Sequence, residues 1–246
     1  MPDEVLVGWR CTSPQAALAF FPPEPIGAAR AAELGVSPDM AERILQIRCP
    51  YDLTVRLVDP NGTPPGFQQV PMPGGLSQAG YKGLATPILR RAQRDQATPA
   101  LQISMNLMMV TEEECALHLT PPFLEPGFRQ WPGTLVCGRF PLRSWPRPLN
   151  AVLEWQDQKR PWVLRRGAPM AYIWLHFDDP NKVPKVVEAK LTPALKRHFA
   201  QVDNVSSFGR NVGPMFDQAQ ERRPARLLVA KETGCPDFAE NENRNR

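Results

Sequence analysis

No apolar run in this chain reaches 18 residues, so the sequence predicts no membrane-spanning helix. The first residues, "MPDEVLVGWR", start acidic and contain no apolar h-region, so no signal peptide is expected. Cysteine is sparse and poorly placed for metal. Cys11, Cys49, Cys115, Cys137 and Cys235 are odd in number, and none stands at C-x-x-C spacing, which excludes the common zinc signatures. Cys115 and Cys137 fall in apolar, strand-like runs, where buried thiols are common. This usage predicts a reducing compartment and a cytoplasmic protein.

An excess of one charge is also missing. Against 29 basic residues stand 25 acidic ones, a net +4, too even to point to nucleic acid. The three Tyr and eleven Phe are not interleaved with basic residues as a base-stacking platform requires. There is no Gly-rich phosphate loop, no Gly-x-Ser-x-Gly elbow and no Cys–His dyad in a helical context. Nor is there an internal repeat.

What the chain does have is proline. Pro 29 and Gly 16 together make about 18% of its 246 residues, against an average near 12%. Proline breaks helices and central strands, which predicts short elements, long connections and a β-rich fold. With 42% hydrophobic residues the chain can still bury a core.

Residues 1–46 read as an N-terminal arm with short helices. Ser13-Pro14 and Ser37-Pro38 are N-cap and first-turn pairs, and Met40, Ile44 and Ile47 follow at helical spacing. From 47 the period changes to two. In "YDLTVRLVD", Leu53, Val55 and Leu57 alternate with Thr54 and Arg56, a half-buried strand. Residues 60–99 are rich in Gly, Pro and Gln and read as a long irregular loop.

The core is expected over 47–200, with six further strands in "LQISMNLMMVT", "ECALHLT", "TLVCGRFPL", "LNAVLEW", "PWVLRRG" and "MAYIWLHF". "RRGAP" supplies a turn in which Gly167 takes positive φ. Thr192-Pro193 opens a short helix. Residues 201–246 form a C-terminal extension with a polar end that cannot bury itself. The pattern is that of an antiparallel β-sandwich or jelly roll with short flanking helices and Pro-rich arms.

Three motifs stand in order: "RCPYDL" at 48–53, "GRFPLRSWPRPLN" at 138–150 and "RRGAPMAYIWLHF" at 165–177. In this order they resemble a family of uncharacterised proteins of tailed phages of marine bacteria and cyanobacteria, and of some marine proteobacteria. The resemblance covers about residues 47–200. It implies an all-β, jelly-roll-like fold and a phage-linked setting, either the host cytoplasm or the virion, and it implies no catalytic residues. Here the Cys-Pro is fused directly to the Tyr-Asp strand, a departure from the family pattern.

Three sets of side chains could carry function. In "AYIWLHFDD", strand parity puts Tyr172, Trp174, His176 and Asp178 on one side. With His118 opposite, His176 and Asp178 would make the two-His, one-carboxylate triad of non-haem Fe(II) oxygenases. The order of parts argues against it. In that class His-x-Asp comes early and a second His much later, whereas here the only later one is His198, 22 residues on. The plain alternative is a strand leaving the core, with Asp178-Asp179-Pro180 as a turn.

In "RSWPRPLNAVLEW", Arg143 and Arg147 flank Trp145, and Glu154 follows on the next strand. The set could grip a small planar anion, with Tyr172 and Trp174 as further contacts. As architecture it would instead pair Arg147 with Glu154 and plug the core edge with Trp145. The run Glu112, Glu113, Glu114 reads as a solvated turn.

The favoured reading is a non-enzymatic binding or assembly protein with protein partners or self-association, needing no cofactor and touching neither membrane nor nucleic acid. The alternatives are an Fe(II) oxygenase-like enzyme and a small anionic-ligand binder.

Overall fold

The computed structural model describes residues 3–13, 19–91, 97–145, 147–201 and 213–231. Its first strand, β1 (Asp3–Cys11), is followed by a two-residue β2 (Glu24–Pro25). Two helical turns come next, α1 (Ala28–Glu33) and α2 (Pro38–Arg43). Then the chain runs through β3 (Ile44–Arg48), β4 (Leu53–Asp59) and β5 (Gly66–Val70) to helix α3 (Gln78–Leu84). Strands β6 (Ala85–Arg91), β7 (Ala97–Ser104), β8 (Leu107–Thr111) and β9 (Cys115–Thr120) follow. After them come β10 (Gly133–Leu135), β11 (Gly138–Pro141), β12 (Asn150–Trp155) and β13 (Trp162–Leu164). The last strands are β14 (Pro169–Phe177) and β15 (Lys182–Glu188), before helices α4 (Pro193–Ala200) and α5 (Gly213–Glu221).

These strands make four sheets, ordered β15-β1-β8, β10-β12-β7-β6, β11-β9-β14-β3-β2 and β13-β4-β5. The fold is mainly β and sandwich-like, as the period-two patterning predicts, and the sheets do not close into a barrel. Among the described residues the strand pairings are antiparallel except β1 with β15. Val5 and Val7 from the first sheet, Leu101 and Leu153 from the second, Leu117 and Ile173 from the third, and Leu53 and Val55 from the fourth bury into one cluster. Burial of that apolar surface drives the fold, at about 25 cal/mol per Å².

Several boundaries differ from the sequence reading. Residues 1–46 are not an arm, because β1 is the central strand of its sheet and buries Val5 and Val7. Ser37 caps α2 as expected, its hydroxyl accepting from the Met40 N–H, but the helix stops at Arg43. Ile44, Leu45 and Ile47 then continue as a strand, since β-branched side chains fit a pleated surface that is buried on both sides here. The helix expected after Pro14 lies partly outside the described residues.

Residues 60–99 are not one irregular loop. They contain β5, α3, β6 and the start of β7. Pro87 sits in β6, an edge strand that tolerates a missing donor. "LQISMNLMMVT" is two strands, broken where Asn106 adopts φ 50° and sends β8 into a different sheet. "TLVCGRFPL" likewise divides into β10 and β11 in different sheets, and its Cys137 is exposed. Strand β15 carries no clean alternation, so the sequence does not mark it. Gly167 has φ 78° as expected, and Thr192 caps α4 by accepting from the Leu195 N–H. The polar end of the chain lies outside the described residues.

Candidate functional site

Parity on the five-stranded sheet decides which side chains meet. Across β9, β14 and β3, Leu119, Ile173 and Leu45 stand in register and point into the core. The next row therefore points outward: Arg139 on β11, His118 on β9, Trp174 on β14 and Ile44 on β3. His176 follows two residues along β14, opposite Ala116. The result is a cluster of three rings. The His118 and His176 centroids are 6.1 Å apart, His118 lies 6.2 Å from Trp174, and Trp174 lies 6.5 Å from His176.

Part of this outer face is covered. Helices α1 and α2 pack Ala31 and Ala41 against Ile44 and Tyr172, with Ile26 beside them. Tyr172 is buried, and its hydroxyl donates to Glu125 Oε1 at 2.9 Å, which also takes Arg30 at 3.2 Å. Desolvation and the Glu125 carboxylate push the Tyr172 hydroxyl well above its ordinary range. Tyr172 is therefore a structural post. Beyond the cover, Trp174 is 38% exposed and Phe123 is 49% exposed, with Phe123 edge-on to Tyr172 at 5.5 Å. Desolvation, Arg139 and His176 together lower the pKa of His118, so it stays neutral to more acidic pH than a free imidazole.

The expected metal triad is only half assembled. His118 and His176 do meet on one face. Among the described residues, however, no three His, Cys, Asp or Glu side chains stand close enough to hold a metal ion, so Asp178 does not complete the set. Asp178 lies just past the end of β14, and the neighbouring Asp179 accepts from the Asn181 N–H at 2.9 Å. That is the strand-ending turn.

The Arg–Trp–Arg segment is likewise taken apart. Arg143 pairs with Glu114 at 3.0 Å. Trp145 stacks on Phe216 of α5, with centroids 4.9 Å apart and planes within 12°, and leans on Phe140 at 4.7 Å. It plugs the core edge as the architectural reading expects. Arg147 turns away to line a separate cleft and does not pair with Glu154. Glu154 stands on β12, opposite Ala100 on one side and Thr134 on the other. With Tyr172 buried under the helices and Trp174 on the outer face, these six residues form no common pocket.

The acidic run is a bend in which Glu113 and Glu114 stay largely solvated, as expected, while Glu112 is drawn inward. Glu112 accepts from the Leu227 and Leu228 N–H groups and pairs with Arg223 at 2.8 Å. Glu113 pairs with Lys182 at 2.7 Å, and Glu114 takes Arg143. Three consecutive carboxylates thus tie three distant segments together. Sequence reasoning missed them because their partners lie far away along the chain.

Two of the three sequence motifs singled out above meet in space. The Gly167 N–H donates to the Cys49 carbonyl at 2.8 Å, and the Cys49 N–H to the Ala168 carbonyl at 2.9 Å. Asp52 accepts from the Arg166 N–H at 3.1 Å. Arg48 and Arg166 both lie over the Phe21 ring, at 4.8 and 5.1 Å. Desolvation pushes the Cys49 thiol up to about 12, which disfavours its thiolate. "RCPYDL" and "RRGAP" form a structural knot. Comparison with protein-family models finds no match, and comparison with curated proteins finds no relative.

Proposed function

We propose that this is a non-enzymatic binding and assembly protein that associates with a second copy of itself through the outer face of the five-stranded sheet. The phage-linked setting implied by the three motifs belongs to the same proposal. One observation carries it: two large aromatics stand exposed on this face, Trp174 beside the His118–His176 pair and Phe123 against Tyr172 at the margin of the helical cover. Aromatic side chains surrounded by polar groups are the usual anchors of protein interfaces.

The charges at the margins favour self-pairing. Arg139 stands at the β11 side, and Asp178 and Glu114 stand beyond the ends of β14 and before β9. A two-fold rotation brings the basic margin of one copy toward the acidic margin of the next, as an isologous contact requires.

Sedimentation over a range of concentrations tests it. The full chain is expected to self-associate, and Trp174→Ser combined with Phe123→Ser to abolish the dimer while leaving the fold intact by circular dichroism. A monomer at high concentration, or a dimer unaffected by the double substitution, would sink the proposal.

A further inference from the structure

His118 and His176 occupy diagonal positions on neighbouring strands, since His118 stands opposite Trp174 and His176 lies two residues further along β14. Diagonal neighbours on one face of a sheet are within reach of each other's side chains. The two ring centres are 6.1 Å apart. A zinc ion about 2.1 Å from one nitrogen of each ring lies about 3.2 Å from each ring centre, so two imidazoles that share it stand no more than about 6.5 Å apart. The observed spacing falls inside that limit, and a tetrahedral angle at the ion asks for closure to about 5.3 Å. His176 is exposed, so its ring can turn that far without disturbing the core.

The ring nitrogens are available. Among the described residues neither imidazole makes a hydrogen bond or an ion pair, and both make only ring contacts. The lowered pKa of His118, set first by desolvation and then by Arg139 and His176, favours the neutral imidazole that binds metal. Strands β9 and β14 lie inside their sheet and stay in register from Cys115 to Thr120, so both ligands rise from a rigid platform. The opposing charge is Arg139, which stands across from His118 on β11 and is exposed, free to extend into solvent. Imidazole suits zinc, copper and nickel, where calcium and magnesium take oxygen ligands. Of the chain's three histidines the third, His198, is buried on α4.

We propose that His118 and His176 together hold one divalent transition ion of the zinc class on the outer face of the five-stranded sheet, with water in the remaining positions. One chain supplies both ligands, so the site does not rest on self-association through that face.

Titration of the full chain with Zn(II) near neutral pH, followed through the imidazole ring resonances and the melting temperature, tests it. The signals of His118 and His176 are expected to shift together and saturate at one equivalent, while those of His198 stay in place. The melting temperature should rise, because the ion ties two strands of the folded state. His118→Gln and His176→Gln, both on the outward row, should each lose the saturation and the rise in melting temperature. Cys137→Ser should keep both, which separates the pair from the exposed Cys137 thiol. Absence of a shift, movement of one histidine alone, a His176 response unchanged in His118→Gln, or loss of binding in Cys137→Ser would overturn the site.

Discussion

Leu228 donates its backbone N–H to the Glu112 carboxylate at 2.7 Å, across 116 residues of chain. The same carboxylate takes the Leu227 N–H and the Arg223 guanidinium, so one side chain fastens the segment that follows α5 onto the end of β8. Leu227 and Leu228 then bury with Val110, Ala189 and Leu195 in a satellite core. Burial raises the pKa of Glu112, but the two N–H groups and Arg223 outweigh it and hold the carboxyl below its ordinary value.

Glu112→Ala removes all of these bonds, leaving two N–H groups without their acceptor and a largely buried guanidinium without its counter-charge, held by the Thr111 carbonyl. The expected loss is about 2–4 kcal/mol. It should appear in urea unfolding, together with faster amide exchange at Leu227 and Leu228. Unchanged exchange at those two amides would refute the anchoring role.

Gly8 approaches the same segment from the other side. A Cβ there would meet Leu228 Cδ1 at 2.3 Å, Val110 Cγ1 at 3.0 Å and the Ala189 Cβ at 3.2 Å. Gly8→Val must therefore displace Leu228, at a cost of about 1–3 kcal/mol by overpacking. Combined with Glu112→Ala, the two losses should sum to less than their total, because the first already releases Leu228. Fully additive losses in urea would show that the two contacts are independent.

How much of this could be read beforehand depended on the range of each interaction. The alternation in "ECALHLT" and "MAYIWLHF" is local, so β9, β14 and the shared face of His118, Trp174 and His176 were legible. The turn at Gly167 and the cap at Thr192 were legible for the same reason. The partners of Glu112, Glu113 and Glu114 were not, because sequence spacing carries no sign of contacts closed through three different sheets or segments. The cleft that Arg147 lines was half visible: Arg147 stood out beside Trp145, but Arg10 and Lys196 come from elements that only the fold brings to it. Strand β6 was hidden by its proline, and β1 by its position ahead of the helices.

Trp145 of the 138–150 motif and Phe216 of α5 meet as two stacked rings. An offset aromatic pair contributes about 0.5–1.5 kcal/mol beyond its buried area. A double-mutant cycle with Trp145→Ala and Phe216→Ala should therefore give a coupling energy of that size. Trp145→Ala alone should lose more, about 3 kcal/mol, since it also abandons Phe140 and the core edge. A coupling near zero would mean that α5 is held by the Glu112 anchor and not by the stack.

His198 sets the expected acid limit of the fold. It lies on α4 with 3% of its surface exposed, and its Nδ1 is buried without a hydrogen-bond partner. Desolvation first, then the nearby Arg223 cation, push its pKa from 6.5 down to about 4, while Glu112 opposes them weakly. In the unfolded chain the imidazole takes up a proton near pH 6.5, whereas in the folded chain it does so only near pH 4. Between those values the unfolded state binds more protons, so stability falls as the pH falls through that window. The loss reaches about 3 kcal/mol and is complete only about a pH unit below the folded pKa. Protonation of His198 would also place a second cation beside Arg223, loosening the segment that Glu112 holds. The melting temperature should accordingly drop between pH 6.5 and 4, and His198→Phe should flatten that drop while leaving the lower-pH titration of Glu112 in place. An equally steep decline in the His198→Phe protein would assign the acid sensitivity to the carboxylates instead.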